Sequence, residues 1–475
     1  MPGWITLTNT PPFSVDTMLL LTDASIMCHE YETSNWHRLV PDAKGYYVNG
    51  TWQSITPLPA NAPLSQDGPV DAPLYYASAV LKDGRVFVAG GEYNAGNQVD
   101  LLAAEIYDPV VDSWSALSTP SGWNNIGDAP SCVLPDGRVL LGDINSKRTA
   151  ILDPITKAWS IGGNKDDSSS EEGWTLLPNH SILCPEVTNH PRAERYLINS
   201  NSWISAGSIP PGHDLVLNEP VSIEIGPAIL MPDNRVFCIG ASGHSAIYNV
   251  KTASWSSGPD ITDSGGNLLR AFDAPAVLLP NGHVLFIVGP AITSGPEQGW
   301  AGQPIYCFEF DGTNLHTVSS PANAAGTVTY NCRFLLLPTG QVLYSNCTSE
   351  LQIFTPGGAP KSNWRPHISQ VSKVLHHGHS YRLRGHQLNG LSQANAYGDD
   401  AQMATNYPLV RLKHIGNKKV YFCRTFDHST MAVATGKKAV HTHFHVPHMI
   451  PVGHYELAVI ANGIESKSVK VRVKQ

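Results

Sequence analysis

Charge is scarce in this chain. Only 15% of its 475 residues are Asp, Glu, Lys or Arg, and the net charge is −8. That balance supplies no cationic surface for phosphates, so it argues against nucleic acid as a partner. Long apolar runs are missing too. No stretch approaches the roughly 20 residues of a membrane-spanning helix, so a membrane is not an expected partner either. The first residues, MPGWITLTNTPP, lack the basic-then-apolar pattern of a signal peptide. None of the eight cysteines forms a CxxC pair, which argues against a zinc ribbon. No GxSxG elbow appears. Cys332 and Cys347 would lie opposite each other if a turn centres on Thr339-Gly340, within reach of a disulfide; two buried thiols are the preferred reading. Three sequons, at Asn49, Asn179 and Asn346, lean towards a secretory route.

Gly (41) and Pro (36) are plentiful, which favours short strands joined by turns. One pattern recurs seven times: MLLLTDASIM (18–27), SAVLKDGRVFVAGG (78–91), SCVLPDGRVLLG (131–142), WTLLPNHSILC (174–184), AILMPDNRVFCIG (228–240), AVLLPNGHVLFIVG (276–289) and FLLLPTGQVLYSN (334–346). Each is an apolar strand, a two-residue turn rich in Asp, Asn and Gly, and a second apolar strand, which predicts a β-hairpin. Several repeats continue into a third strand and then a Trp, as in EIYDPVVDSWSAL (105–117). Units of this size with about four strands predict the blades of a kelch-type β-propeller. Trp52, Trp114, Trp159, Trp203 and Trp255 are then packing residues between blades. From about Pro366 the pattern changes to alternating strands spaced like an immunoglobulin-like β-sandwich. The expected fold is therefore all-β: a seven-bladed propeller over residues 1–362 and a sandwich over 363–475. Within the sandwich, only 389–408 reads as a polar loop. His441, His443 and His445 alternate on one strand and read as a solvated face rather than a metal site.

Innermost strands line a propeller axis, and their leading ends face the channel mouth. Counting eight positions back from each turn gives Val15, Tyr75, Asp128, Glu171, Ile225, Asp273 and Asn331. Seven strands can thus gather a site that no local motif reveals. Asp128, Glu171 and Asp273 read first as polar lining or as oxygen ligands of a structural cation. Proton transfer by crowded carboxyl groups is the weaker reading.

The hairpins, together with LNGLSQANAYGDDAQMATNYPLVRL and YFCRTFDHSTMAVATG in the tail, resemble the galactose oxidase and glyoxal oxidase family of copper-radical oxidases. Members of that family hold copper with two tyrosines and two histidines, and one tyrosine is bonded to a cysteine. The resemblance puts Tyr75 at the radical tyrosine, Tyr330 at the axial tyrosine and His428 at the histidine supplied by the sandwich. The cysteine position is Val15, and the second histidine is Asn331. Valine forms no thioether, and a carboxamide is a poor ligand for Cu(II). The sequence therefore implies the oxidase cavity with no cofactor and no metal. Tyr75, Tyr330, Asn331 and His428 should converge there as catalytic groups. Tyr76, Trp123, Asn124, Asp128, Glu171 and Asp273 should bind a small, largely apolar substrate.

Three function classes remain open. One is a cofactor-free cyclase, similar to the fungal hetero-Diels-Alderases of tropolone-sesquiterpenoid biosynthesis, which would join an oxadiene (a tropolone quinone methide) to a terpene alkene. The second is a copper-radical oxidase of alcohols or aldehydes. The third is a propeller that binds glycan or protein without catalysis.

Overall fold

The computed structural model describes residues 3–59, 72–219, 222–398 and 403–475. Seven antiparallel sheets surround one axis; six have four strands, and that of the sixth blade is extended to six by Leu269–Arg270 and Asn395–Ala396. Their innermost strands are Val15–Leu20, Ala77–Val80, Ser131–Val133, Thr175–Leu176, Ala228–Leu230, Ala276–Leu278 and Arg333–Leu336. Five blades use four successive strands, and the second has a small separate hairpin between its second and third. The seventh takes its outermost strand from the N-terminus, where Gly3–Thr6 pairs with Gln352–Thr355. The N-terminal strand thus closes the ring by completing the last blade.

Inner and second strands read as continuous apolar runs because both faces are covered by neighbouring blades. The tryptophans act between blades as expected. Trp114 Nε1 donates to the Thr56 carbonyl at 2.9 Å, Trp159 to Ser118 at 2.5 Å and Trp255 to Ala206 at 3.0 Å. Each anchors an outer strand to the blade before it.

The hairpin turns differ from the two-residue form. Leu81 N–H donates to Arg85 O and Gly84 N–H to Leu81 O, with Gly84 at φ +88°. This is a three-residue turn with a left-handed third residue. In the last blade the extra residue shifts the register by one. Arg333 faces Ser345, so Cys332 falls opposite Asn346 and not Cys347. Both thiols are free, and the disulfide geometry expected from a centred turn does not form. Of the sequons, Asn346 is buried with its amide on Thr327 Oγ1, which leaves no room for a glycan.

The tail forms two sheets packed face to face. One contains His367–Gln370, Ser380–His386, Ala439–His445 and Thr425–Phe426, and the other Val374–His376, Val469–Lys474, Gly453–Ala461, Leu409–His414 and Val420–Cys423. Leu375, Leu383, Val410, Leu412, Phe444, Tyr455, Leu457 and Val471 fill the space between them. On Ala439–His445 the residues Val440, Thr442 and Phe444 point inward. The alternate histidines face outward, with His441 against Arg382 and His445 against Ser380.

The polar loop runs through the propeller axis. Inner strands carry unpaired backbone edges, and the loop's amides satisfy them. Gln393 Oε1 accepts from Leu176 N–H and Asn395 Oδ1 from Leu336 N–H, both at 2.9 Å. Asn395–Ala396 adds a short strand against Val277 and Ala276. On the return limb Thr405 N–H donates to Gln393 O, and the Tyr407 hydroxyl donates to Leu20 O. The ascending limb delivers Tyr397 to the mouth. There Gly173 passes so close to Gly398 that an added Cβ would stand 2.2 Å from its carbonyl oxygen. Gly173→Ala should therefore cost about 1–3 kcal/mol, read as a lower urea midpoint with no change in slope.

Candidate functional site at the propeller mouth

A cavity of about 550 Å³ opens at the leading ends of the inner strands. Its described lining includes the ring residues Tyr75, Asp128, Glu171 and Asp273, and Tyr330 beside them. Tyr75, Glu171 and Asp273 have φ of +50°, +57° and +39°. A left-handed backbone at a residue with a side chain costs of order 1–3 kcal/mol and persists only where its surroundings fix it. Here it occurs at the same step of three blades, at residues lining one cavity.

Three further loops complete the wall. A small hairpin in the second blade, Tyr93–Asn94 with Asn97–Gln98, presents Tyr93 and Gln98, with Glu92 just before it. The link between the fourth and fifth blades brings Glu224, and the long loop after Val284–Pro290 brings Glu297 and Trp300. Trp300 stacks on Phe272 at 5.0 Å and meets Tyr330 edge-on at 6.0 Å. The described lining thus combines six carboxyl groups (Glu92, Asp128, Glu171, Glu224, Asp273 and Glu297) with six aromatic rings. The three carboxyl groups counted along the ring, Asp128, Glu171 and Asp273, are joined by three more from the loops.

Beneath the floor lies one fully buried cation. Arg333 pairs with Asp16 at 3.2 Å, donates to the carbonyls of Tyr330 (2.7 Å) and Cys332 (3.0 Å), and stacks over Tyr397 at 3.9 Å. Tyr397 in turn donates its hydroxyl to Tyr330 O at 2.6 Å. Burial works to raise the Asp16 carboxyl, but Arg333 and His29 outweigh it and hold the group at about 2. Burial pushes the Tyr75 phenol well above its ordinary value, and Tyr330 and Tyr93 are raised for the same reason. All three keep their hydroxyl protons at neutral pH.

Five expected site residues lie elsewhere. Asn331 sits next to Tyr330 but is not among the lining side chains, and its carbonyl accepts from Cys347 Sγ at 3.3 Å. Tyr76 is packed between the first two blades, edge-on to His29 at 5.5 Å. The residue after a left-handed Tyr75 turns away from the mouth. Trp123 is buried with Arg148 over its ring, and Asn124 is exposed outside the cavity. His428 lies at the opposite end of the propeller. Its N–H donates to Lys82 O in a hairpin turn, and its Nδ1 is 2.9 Å from Thr442 Oγ1. Burial, with Lys82 and His443 nearby, lowers its pKa to about 3. Hairpin turns and leading ends are a full strand apart, so the segment carrying FDHSTM, which leaves the short strand Thr425–Phe426 at the hairpin turns, does not reach the mouth. The sandwich reaches it through Tyr397 instead.

Tyr397 could have been found in the sequence, because an aromatic in a long polar loop (NAYGDD) has no strand to pack in. Glu297 and Trp300 sit in the widest gap between second and third strands of any repeat. Glu92 sits in the next-widest such gap, between Val86–Ala89 and Ala104–Asp108, whereas Glu224 carries no such signal.

The chemistry of these donors does not suit a copper-radical centre. Among the described lining residues there is no imidazole and no thiol. Cys347 turns its sulfur towards Asn331 O and, at 3.7 Å, Asp16 Oδ1, and burial pushes its thiol well above the ordinary value. Val15 is fully buried in the core. Cu(II) favours nitrogen ligands, and phenols raised by burial are poor sources of phenolate.

The chain matches no known protein family and no curated protein. Among solved structures it is similar to a fungal alcohol oxidase of the AA5 family in complex with copper, at 13% identity and a TM-score of 0.53, over 100% of this chain and 99% of that one. It is also similar to a catalytically inactive variant of virginiamycin B lyase from Staphylococcus aureus with quinupristin, at 9% identity and a TM-score of 0.50, over 75% of this chain and 99% of that one. At such identities the likeness is one of fold, and it assigns the chain the all-β, galactose oxidase-like propeller architecture.

Proposed function

We propose that the mouth cavity belongs to a metal-independent enzyme of small-molecule chemistry, and that its reaction is a cyclisation of the hetero-Diels–Alder type. The observation that carries this reading is the lining. Tyr75 and Tyr330, both held protonated, share one cavity with six carboxyl groups, and no imidazole or thiol is among its described lining residues. A phenol hydroxyl that donates to an oxadiene carbonyl lowers its unoccupied orbital and speeds addition to an alkene. Holding both reactants against Phe272 and Trp300 supplies the rest, since proximity and orientation are worth up to roughly 7–11 kcal/mol. No proton needs to be transferred, so no general base is required. The carboxyl-rich wall changes the expected substrate: it favours reactants bearing hydroxyl or other donor groups over a bare terpene.

The galactose oxidase-like fold also favours a copper-radical oxidase as a second reading. One experiment separates the two. Protein loaded with Cu(II) and dialysed is assayed for bound metal and for peroxide from primary alcohols and aldehydes. In parallel, chelator-treated protein is given an o-quinone methide and an electron-rich, hydroxyl-bearing alkene. The proposal expects no copper-dependent peroxide and an enantiomerically enriched cycloadduct, with Tyr330→Phe slowing its formation at least about tenfold. Stoichiometric copper with peroxide release would replace it with the oxidase.

A further inference from the structure

On the same end of the propeller as the mouth, the fourth and fifth blades meet at a cluster unrelated to the cavity lining. His213 lies on the link leaving the fourth blade. His244 lies in the turn before Ser245–Asn249, and Asp260 follows Ser254–Ser257. His244 Nδ1 is 2.8 Å from Asp260 Oδ1, and His213 Nδ1 is 3.7 Å from the same oxygen. The two rings stand 5.5 Å apart, and one donor atom from each residue falls within 4.8 Å of the others. His213 Nδ1 is buried and has no hydrogen-bond partner among the described residues.

From this geometry we infer a site for a divalent transition metal, Zn²⁺ in particular, held by His213, His244 and Asp260 with a fourth position open to water. Two nitrogens and a carboxylate oxygen form a typical open zinc donor set. Ligands about 2.0–2.2 Å from a tetrahedral ion stand about 3.3 Å from each other, and the separations of 2.8 and 3.7 Å bracket that edge. Small ring rotations would close the set. The side chains are about a quarter to a half exposed, so an ion has direct access.

The surroundings fix the donors in advance. Ser242 Oγ donates to Asp214 O at 2.5 Å and accepts from His244 N–H at 3.2 Å, so one hydroxyl ties the His213 link to the His244 turn. Asp260 is flanked by two anchored neighbours: Ser245 Oγ donates to Pro259 O at 2.6 Å, and Ile261 N–H donates to Gly243 O at 3.0 Å. His190, on Asp214 Oδ2 at 2.5 Å, buttresses the same link from outside. A metal here would clamp two blades beside the mouth.

The test titrates chelator-stripped protein with ZnCl₂ by calorimetry, with bound metal counted after dialysis. Co²⁺ serves as a visible probe of coordination. The wild type should bind one more equivalent than the His213→Ala/His244→Ala double variant, with the d–d bands of four-coordinate Co²⁺ present only in the former. Ser242→Ala keeps all three donors and should weaken binding roughly tenfold or more. His441→Ala/His443→Ala, on the sandwich, should leave this equivalent intact. Circular dichroism of each variant confirms that the fold is retained. Equal stoichiometry and equal Co²⁺ spectra in the wild type and the double variant would overturn the site.

Discussion

Lys165→Met should destabilise the protein by about 3–5 kcal/mol, the largest loss expected from any single substitution outside the axis. The Lys165 ammonium is fully buried and meets Glu172 at 3.1 Å, Glu186 at 2.7 Å and Glu194 at 3.2 Å, with Cys184 Sγ at 3.5 Å and the Trp203 ring beneath it at 4.7 Å. One cation cannot balance three buried carboxylates. Burial pushes both Glu186 and Glu172 up, and charge on Glu172 raises Glu186 further, so the pair shares a proton at neutral pH. Two outcomes follow. Glu186→Gln supplies the neutral member of that pair in the same shape and should cost under about 1 kcal/mol. Lys165→Met removes the one cation that contacts the set among the described residues, and its cost should shrink as pH falls, because burial already raises Glu172 and it takes up a proton once the ammonium is gone. The check is urea unfolding of both variants at pH 7 and pH 4.5. An equal loss for the two at pH 7 would contradict the assignment of charge within the cluster.

The propeller was legible because its signals are local. A hairpin needs an apolar run, a turn residue and another apolar run, and the chain repeats that grammar seven times. The inward ring was legible as a count along those hairpins, and it put Tyr75, Asp128, Glu171 and Asp273 in the cavity. The rest depended on three dimensions. The FDHSTM match placed His428 at the mouth, yet a sequence match carries no sense of which end of a strand it meets. Tyr76, Trp123 and Asn124 were not legible either: the left-handed backbone of Tyr75 turns the next residue away, and Trp123 and Asn124 lie in an irregular turn whose direction no strand period sets. Glu92, Glu224 and Glu297 lie on loops whose direction depends on the blades that flank them. The acidity of the site was therefore underestimated from the ring alone. Lys165 and its three glutamates are spread over thirty positions and carry no spacing that announces a cluster.

Arg333→Met should act on the ring closure and on the cavity together. Arg333 is the first residue of the seventh blade's inner strand, and Asp16 is on that of the first. Their ion pair therefore crosses the seam between the last blade and the first, beside the Ser345 hydroxyl that donates to Val15 O. Removing the guanidinium leaves the buried carboxylate facing His29 at 3.8 Å as its one basic neighbour among the described residues and takes one donor from each of two carbonyls. A loss of about 3–5 kcal/mol is expected. Arg333→Lys should recover part of it, since an ammonium restores charge but neither the fork nor the stack on Tyr397. The pH dependence supplies the sign. Asp16 has its folded pKa depressed from 3.8 to about 2, so it contributes stability above pH 4 that is lost as pH falls through 2. At roughly 1.4 kcal/mol per unit that is about 2 kcal/mol. In Arg333→Met, burial is left to dominate at Asp16, so its contribution changes sign and this acid-side loss disappears. Because Tyr330 and Tyr397 are both held by Arg333, the variant should also lose cycloadduct formation. Arg333→Lys should fall between the two in both measurements. A variant that lost activity while keeping wild-type stability at every pH would separate the cavity from the seam and contradict this coupling.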